Sequence, residues 1–339
     1  MALGAERILI VKTSSMGDVV HALPAVSDML AAQPGRQVDW LVEAPFAAIP
    51  ALHPGVSRVI PLAWRKWRKA LGKGATWQAI GALREALRAQ RYDAVLDLQG
   101  LLKSVMWGLQ ARGPLLGYDA ASIREPAAAL FYRRRAAVSR DLQAVVRNRA
   151  LAAAHLGYPM PQTPPDFGLR APASTWMPAG RYAVLIPCAS RPEKLWPIED
   201  WIAVGRHCQA LGWLPVILWG SPAEQALAES IAAGCGGCVP PFLRVGDCAA
   251  VLAGAEQIVG LDTGFTHLGA ACGRPTVGIY CDHEPGLAGV SGPGPVTSLG
   301  GVGQRPTRAA VLQAFEAQRL AAGEGVPLAA PPPGDASAR

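Results

Sequence analysis

Four stretches of this chain combine residue types and spacings that could do chemistry. The first is Lys12-Thr13-Ser14-Ser15-Met16-Gly17-Asp18, which follows a short β-branched run and leads into a helical pattern. Small polar residues, one glycine and a carboxylate thus meet where a strand turns into a helix, which is where doubly wound sheets bind their ligands. Backbone N–H groups at such a turn can hold an anion. A single glycine does not make the Gly-x-Gly-x-x-Gly fingerprint of a dinucleotide site, which disfavours a nicotinamide enzyme. Asp18 is equally suited to capping the helix by accepting backbone hydrogen bonds.

The second stretch, Trp64-Arg65-Lys66-Trp67-Arg68-Lys69, repeats a three-residue unit. On a helix it would stand Trp64 over Trp67 and Arg65 over Arg68. Guanidinium groups suit phosphate and carboxylate, and tryptophan favours a membrane–water boundary, so the block fits an acidic, lipid-borne ligand. It fits equally a solvated amphipathic helix with both tryptophans packed inward. A nucleic-acid surface is a third reading, although the basic and aromatic residues are confined to one short segment.

The third stretch, Ser190-Arg191-Pro192-Glu193-Lys194-Leu195-Trp196-Pro197, follows a later strand. A lysine at that strand end can neutralise a departing diphosphate, a role open to it because no Asp-x-Asp metal motif is present. An ordinary surface lysine is the plainer reading. The fourth, Asp262-Thr263-Gly264-Phe265-Thr266-His267, again runs from a strand into a helix. Thr263 and Gly264 would present backbone N–H groups to a diphosphate, with His267 one turn further on. Asp262 reads as a cap or as a partner for sugar hydroxyls, and His267 also fits a satisfied core histidine.

These sites need elements to position them. With 339 residues, half of them apolar, the chain can bury two ordinary cores. Strands are expected at 7–12, 37–42, 58–61, 94–97 and 114–117, with helices at 18–30, 76–90, 101–111 and 141–155 between them. The stretch 157–180 carries six prolines and no clean periodicity, and reads as a linker. A second alternating set follows, with strands at 182–186, 214–218, 257–260 and 276–279 and helices at 198–211, 223–233, 247–252, 265–272 and 307–322. The fold class is therefore α/β, with two Rossmann-like domains and a cleft between them. The first domain is expected over 1–170, the second over 171–322, and 323–339 is expected to be a disordered tail.

Charge divides along the same boundary. Residues 1–170 hold 22 Lys/Arg against 12 Asp/Glu, and residues 171–339 hold 10 against 13, so the excess of +7 arises in the first half. The basic half would meet a polyanion such as nucleic acid, an anionic membrane surface or a phosphorylated substrate, or serve solubility alone. No apolar run reaches the roughly 20 residues of a bilayer span, and no leader pattern opens the chain, so a cytoplasmic protein is expected. The seven cysteines form no even framework and are expected to be reduced, and Cys235-Gly236-Gly237-Cys238 lacks a second ligand pair and reads as a loop.

Taken in order, the Lys12–Asp18 stretch, the Trp-Arg-Lys repeat, Asp97-Leu98-Gln99-Gly100-Leu101-Leu102-Lys103-Ser104, Arg124-Glu125-Pro126, Lys194-Leu195-Trp196-Pro197, Trp219-Gly220 and Asp262-Thr263-Gly264-x-x-His267 resemble the lipopolysaccharide heptosyltransferases I of glycosyltransferase family 9. The resemblance runs from about residue 7 to residue 320. It implies a GT-B fold and an inverting transfer of L-glycero-D-manno-heptose from ADP-heptose to the Kdo residue of Kdo-lipid A, with no further cofactor and no metal. Asp18 would then be the catalytic base, with Lys194 as the charge sink. Ser15, Met16, Gly17, Ser190, Lys194, Glu224, Asp262, Thr263, Gly264 and His267 would bind the donor. Trp64, Arg65, Lys66, Arg68, Lys69 and Arg124 would bind the acceptor. The enzyme would be a monomer, peripherally attached to the cytoplasmic face of the inner membrane, with no nucleic-acid partner. Ala189 stands where the family usually has a second hydroxyl residue beside Ser190. The run Cys281-Asp282-His283-Glu284 departs from the expected turn before Pro285. The rival readings are heptosyltransferase II or another family member acting on a different core acceptor and, from other classes, a nucleotide-sugar-binding protein or an epimerase, neither of which needs a lipid acceptor.

Overall fold

A computed structural model describes residues 6–323. Two parallel sheets carry the chain. The first has six strands, β1 (Arg7–Val11), β2 (Gln37–Glu43), β3 (Val56–Leu62), β4 (Ala94–Asp97), β5 (Leu115–Tyr118) and β6 (Arg134–Ala136), in the order β3-β2-β1-β4-β5-β6. The second has β7 (Tyr182–Ile186), β8 (Leu214–Ile217), β9 (Gln257–Leu261), β10 (Thr276–Tyr280) and β11 (Val296–Gly300), in the order β11-β10-β9-β7-β8. Helices cover both faces, which is why β1 reads as an unbroken apolar run: Ile8, Leu9, Ile10 and Val11 are all fully buried. Each such side chain contributes about 1.5–3 kcal/mol of burial.

Strand order reverses between β1 and β4 in the first sheet and between β7 and β9 in the second. At such switch points neighbouring loops part and leave a crevice outside the carboxyl ends of the strands. The Lys12–Asp18 and Leu98–Lys103 segments leave one switch point, and the Pro187–Lys194 and Asp262–His267 segments leave the other. The sheets therefore aim all four loops at the space between them.

The helix expected over 18–30 is two helices, Met16–Val20 and Leu23–Ala32. Pro24 stands in the first turn of the second and has no N–H to give Val20, so the first helix ends there. His21 falls in the break. The Trp64–Lys69 block forms only one helical turn, Trp64–Trp67, before the chain bends. β6 and β11 were not expected. Both are edge strands without an alternating apolar pattern, and Arg134 and Arg135 of β6 face solvent.

The proline-rich 157–180 stretch has no regular secondary structure. Its first part lies on the first sheet's side, where Phe167 is buried and Arg170 N–H donates to Leu52 O. Its last part lies on the other side, where the Ser174 hydroxyl donates to Asp247. Arg149 and Asp28 form a buried two-point ion pair, at 2.7 and 3.1 Å, that ties the Ala144–Leu156 helix to the Leu23–Ala32 helix. All seven cysteines are free. Gly323 ends the final helix, Arg308–Gly323, and the rest of the expected tail lies outside the described residues.

Candidate functional site

The Met16–Val20 helix of the first half packs directly on the Gly264–Ala271 helix of the second. Two glycines permit the approach. A Cβ on Gly17 would lie 3.1 Å from the His267 ring, and one on Gly264 would run into the Met16 side chain. The switch-point loops therefore meet edge to edge, and three adjoining cavities open between and beside them.

The largest of the three, about 450 Å³, is bounded by Ser15, Met16 and Gly17 from one side and by Ser190, Lys194, Glu224, Thr263 and Gly264 from the other. Ile186, Leu218 and Phe265 supply apolar walls, and Glu224 accepts the Gly220 N–H at 2.9 Å. A second cavity, about 310 Å³, joins Asp18 and His21 to Lys194, Asp262 and His267. A third, about 180 Å³, lies wholly in the first half and includes Lys12, Asp18, Gln99, Arg124 and Arg147. Asp18 lines both the second and the third, so it stands where they meet.

The Asp18 carboxylate is held rather than free. Oδ2 accepts the Ser15 N–H at 2.7 Å and the Ser15 hydroxyl at 2.8 Å, while Oδ1 stands 4.0 Å from the Lys12 ammonium. Burial works to raise its pKa, but Lys12 and the two Ser15 hydrogen bonds outweigh it and keep the carboxyl below its usual range. Capping and chemistry are not alternatives here, because one oxygen caps the helix and the other faces the cavity. Lys12 is itself buried, which lowers its pKa, and it donates to Leu98 O at 2.9 Å.

Across the cleft, Lys194 forms an ion pair with Asp262 Oδ2, and His267 Nε2 lies 3.3 Å from Asp262 Oδ1. Burial again opposes ionisation of Asp262, yet the bonds from His267 and Lys194 hold it well below the carboxylate range. His21 Nε2 reaches His267 Nδ1 at 3.1 Å, and burial followed by the neighbouring His267 pushes the His21 pKa down to about 3. A neutral His21 thus continues the row Lys194–Asp262–His267 into the first domain. The Gly264–Ala271 helix opens at this point, so its N–H groups and Lys194 together favour a bound anion.

The tryptophans of the repeat pack inward, as the plainer of its two readings had them: Trp67 is buried, Trp64 is half-buried, and both lie 5.8 Å from the Trp107 ring. Arg65 does not join Arg124. It crosses the Phe46 ring at 5.5 Å and lines the 450 Å³ cavity instead, while Lys66, Arg68 and Lys69 are exposed outside all three cavities. The one-turn helix separates Arg65 from the rest of the block.

Several residues at the site stood in quoted sequence strings but were given no role there. Gln99 Oε1 accepts both the Thr13 and Ser14 N–H groups at 3.0 Å and so shapes the loop that carries Asp18. Lys103 donates to the Ser14 hydroxyl at 2.8 Å. Buried Asp97 accepts from Gln99, Gly100, Ser104 and Tyr132, which makes it the organiser of its loop. Arg191, paired with Asp282 at 2.6 Å, and His283 line the central cavity, so the divergent 281–284 run still meets the cleft.

Two doubly wound domains whose switch-point loops confront each other across one crevice, with a carboxylate on one side and a lysine beside a helix N-terminus on the other, define a glycosyltransferase of GT-B architecture. The model of glycosyltransferase family 9 (heptosyltransferase) matches residues 80–307. The chain is 44% identical over 287 residues to lipopolysaccharide heptosyltransferase 1 of Escherichia coli (strain K12), covering 84% of this chain and 90% of that one. The solved E. coli heptosyltransferase WaaC with ADP superposes with a TM-score of 0.85 at 40% identity, over 92% of this chain and 99% of that one. The same enzyme with ADP-2-deoxy-2-fluoro heptose superposes with a TM-score of 0.82 at the same identity and coverage. This chain belongs to glycosyltransferase family 9, the heptosyltransferases.

Proposed function

We propose that the protein transfers L-glycero-D-manno-heptose from ADP-heptose to a hydroxyl of the Kdo residue of Kdo-lipid A, with inversion at the anomeric carbon. The observation that carries this reading is the position of Asp18, which lines both the cavity continuous with the donor side and the cavity bounded by Arg124 and Arg147. A donor diphosphate at Lys194, Thr263 and Gly264 would lay its sugar toward Asp18. An acceptor hydroxyl from the third cavity would reach the anomeric carbon from the opposite face.

The steps follow from those positions. Asp18 Oδ1 takes the proton of the attacking hydroxyl, a role worth about 10²–10⁴-fold in rate. Its lowered pKa keeps it ionised and ready at neutral pH. As the anomeric C–O bond breaks, negative charge grows on the diphosphate, where Lys194 and the N–H groups opening the Gly264–Ala271 helix stabilise it. Lys194 is paired with Asp262, and a donor diphosphate at Lys194 would share that ammonium and leave Asp262 oxygens for sugar hydroxyls. In this reading Met16, Ser190 and Glu224 shape the donor cavity, and Arg124, with the exposed Lys66, Arg68 and Lys69, meets the acidic acceptor. The domains divide at about 170/171, and the protein works as a monomer at the cytoplasmic face of the inner membrane. No helix among the described residues is long and apolar enough to cross that membrane.

The test is incubation of the purified protein with ADP-heptose, with and without Kdo-lipid A, followed by mass spectrometry of the lipid. A gain of one heptose that requires both substrates supports the transfer. Consumption of ADP-heptose without a lipid product would replace it with hydrolysis or epimerisation, and product only on a heptose-bearing acceptor would replace it with the next transfer along the core.

A further inference from the structure

The Leu102–Gly108 helix buries one side, with Val105 and Trp107 in the core, but its opposite side is apolar too. Leu102, Met106 and Leu109 recur at i, i+4 and i+7, so they form one stripe, and all three are exposed. Beside the helix runs the Pro126–Phe131 turn of 3-10 helix. Leu102 N–H donates to Glu125 at its start, and Leu109 and Phe131 share a groove at its end. Leu130 and Phe131, 74% and 50% exposed, extend the stripe sideways. Five of the fourteen exposed large apolar residues among those described therefore lie on these two adjoining elements and the residue that ends the helix.

Charge rims this face on both flanks. The groove shared by Leu109 and Phe131 is also lined by Arg91, Arg112 and Arg133, three cations against the single acid Asp93. On the other flank, Trp64 and Trp67 pack on Trp107 of the same helix and bring Lys66, Arg68 and Lys69 alongside. An apolar centre with a cationic rim complements a bilayer whose surface carries anionic headgroups. It suits a second copy of this basic chain less well, because cations would then face cations. The face is also continuous with the site: Leu101, next to Leu102, and Arg124, next to Glu125, both line the 180 Å³ cavity at Asp18.

We propose that the face formed by Leu102, Met106, Leu109, Leu130 and Phe131 is the surface by which the enzyme docks on an anionic lipid bilayer, with the mouth of the acceptor cavity held at headgroup level. The inference rests on the reading of the acceptor as lipid-borne. Docking by this face keeps the acyl chains of such an acceptor in the bilayer while its sugar enters the cavity, so the enzyme need not extract the lipid.

The experiment is cosedimentation of the full chain with vesicles of phosphatidylethanolamine and phosphatidylglycerol in a roughly 3:1 ratio, against vesicles of phosphatidylcholine alone. The parent should pellet with the anionic vesicles and far less with phosphatidylcholine. The double variant Leu130→Glu/Phe131→Glu, and separately Met106→Glu, should lower binding to the anionic vesicles by at least about tenfold with unchanged thermal melting, since each side chain is exposed. Variants that pellet like the parent, or a parent that binds neither vesicle, would overturn the proposal. So would a parent dimer that the double variant dissociates while vesicle binding persists. Transfer to a deacylated, water-soluble Kdo-bearing acceptor separates this inference from the proposed function. Retained transfer with unaltered vesicle binding in the variants sinks the docking face alone, and absence of transfer by the parent sinks the transferase reading while the vesicle result stands by itself.

Discussion

His21 Nε2 and His267 Nδ1 lie 3.1 Å apart and form a hydrogen bond between the two domains. Asp262 is held ionised and lies 3.3 Å from His267 Nε2, so the row runs unbroken from Lys194 through Asp262 and His267 to His21. The contact thus joins a histidine of the first domain to the Asp262–His267 pair of the second.

This contact makes stability depend on pH with a definite sign. His21 is held neutral in the folded protein down to about pH 3 but takes up a proton near 6.5 when unfolded. The unfolded state therefore binds more protons between those values, so the contribution is fully present above pH 6.5 and is lost progressively as pH falls toward 3. Urea unfolding of the parent should show falling stability from pH 6.5 to 4.5, and His21→Gln should flatten that slope. An unchanged slope in the variant would mean that another group carries it.

Asp18→Asn keeps the side-chain shape and an oxygen to accept from Ser15, but removes the basic oxygen that faces the cavity. Turnover should fall about 10²–10⁴-fold while the dissociation constant for ADP-heptose stays within about threefold of the parent. Steady-state kinetics and calorimetric titration check the two halves separately, and near-parental turnover would remove Asp18 from the role of base.

Gly264→Ala places a methyl where the Met16 side chain lies, across the interface between the two helices. Donor affinity should drop on this change, because the domains must separate to admit it. Met16→Ala in the same chain should restore most of the loss, and a double variant no better than Gly264→Ala would locate the damage within the second domain.

Arg149→Met breaks the buried pair with Asp28 and leaves a carboxylate without its partner. About 3–5 kcal/mol of stability should be lost on denaturant unfolding. Because the pair is away from the cleft, the surviving folded fraction should bind ADP-heptose as the parent does. Adding Asp28→Leu should recover part of the loss by removing the orphaned charge.

Both sheets were legible along the chain because strands buried on both faces show as continuous apolar runs, as in Ile8–Val11 and Tyr182–Ile186. The edge strands β6 and β11 were not, since each has one partner strand and no apolar pattern to announce it. The strand-to-helix turns at Asp18 and at Thr263–His267 were legible too, because their residue types answer local backbone demands. Arg65 shows where local reading stops: its place beside the 450 Å³ cavity goes with a contact to Phe46, which has no period.

Sequence alone determined the two-domain α/β plan, the family and three of the loops that meet at the cleft, because burial patterns and turn residues act over a few neighbouring positions. Only the tertiary structure decided that Asp18 divides its oxygens between a cap and a cavity, that Lys194 rests on Asp262, and that His21 meets His267. Those relationships join residues as much as 246 positions apart, through two switch points whose facing depends on how the domains pack. Distances of that kind are set by the packed helices between Met16 and Gly264, and nothing in the local order of residues encodes them.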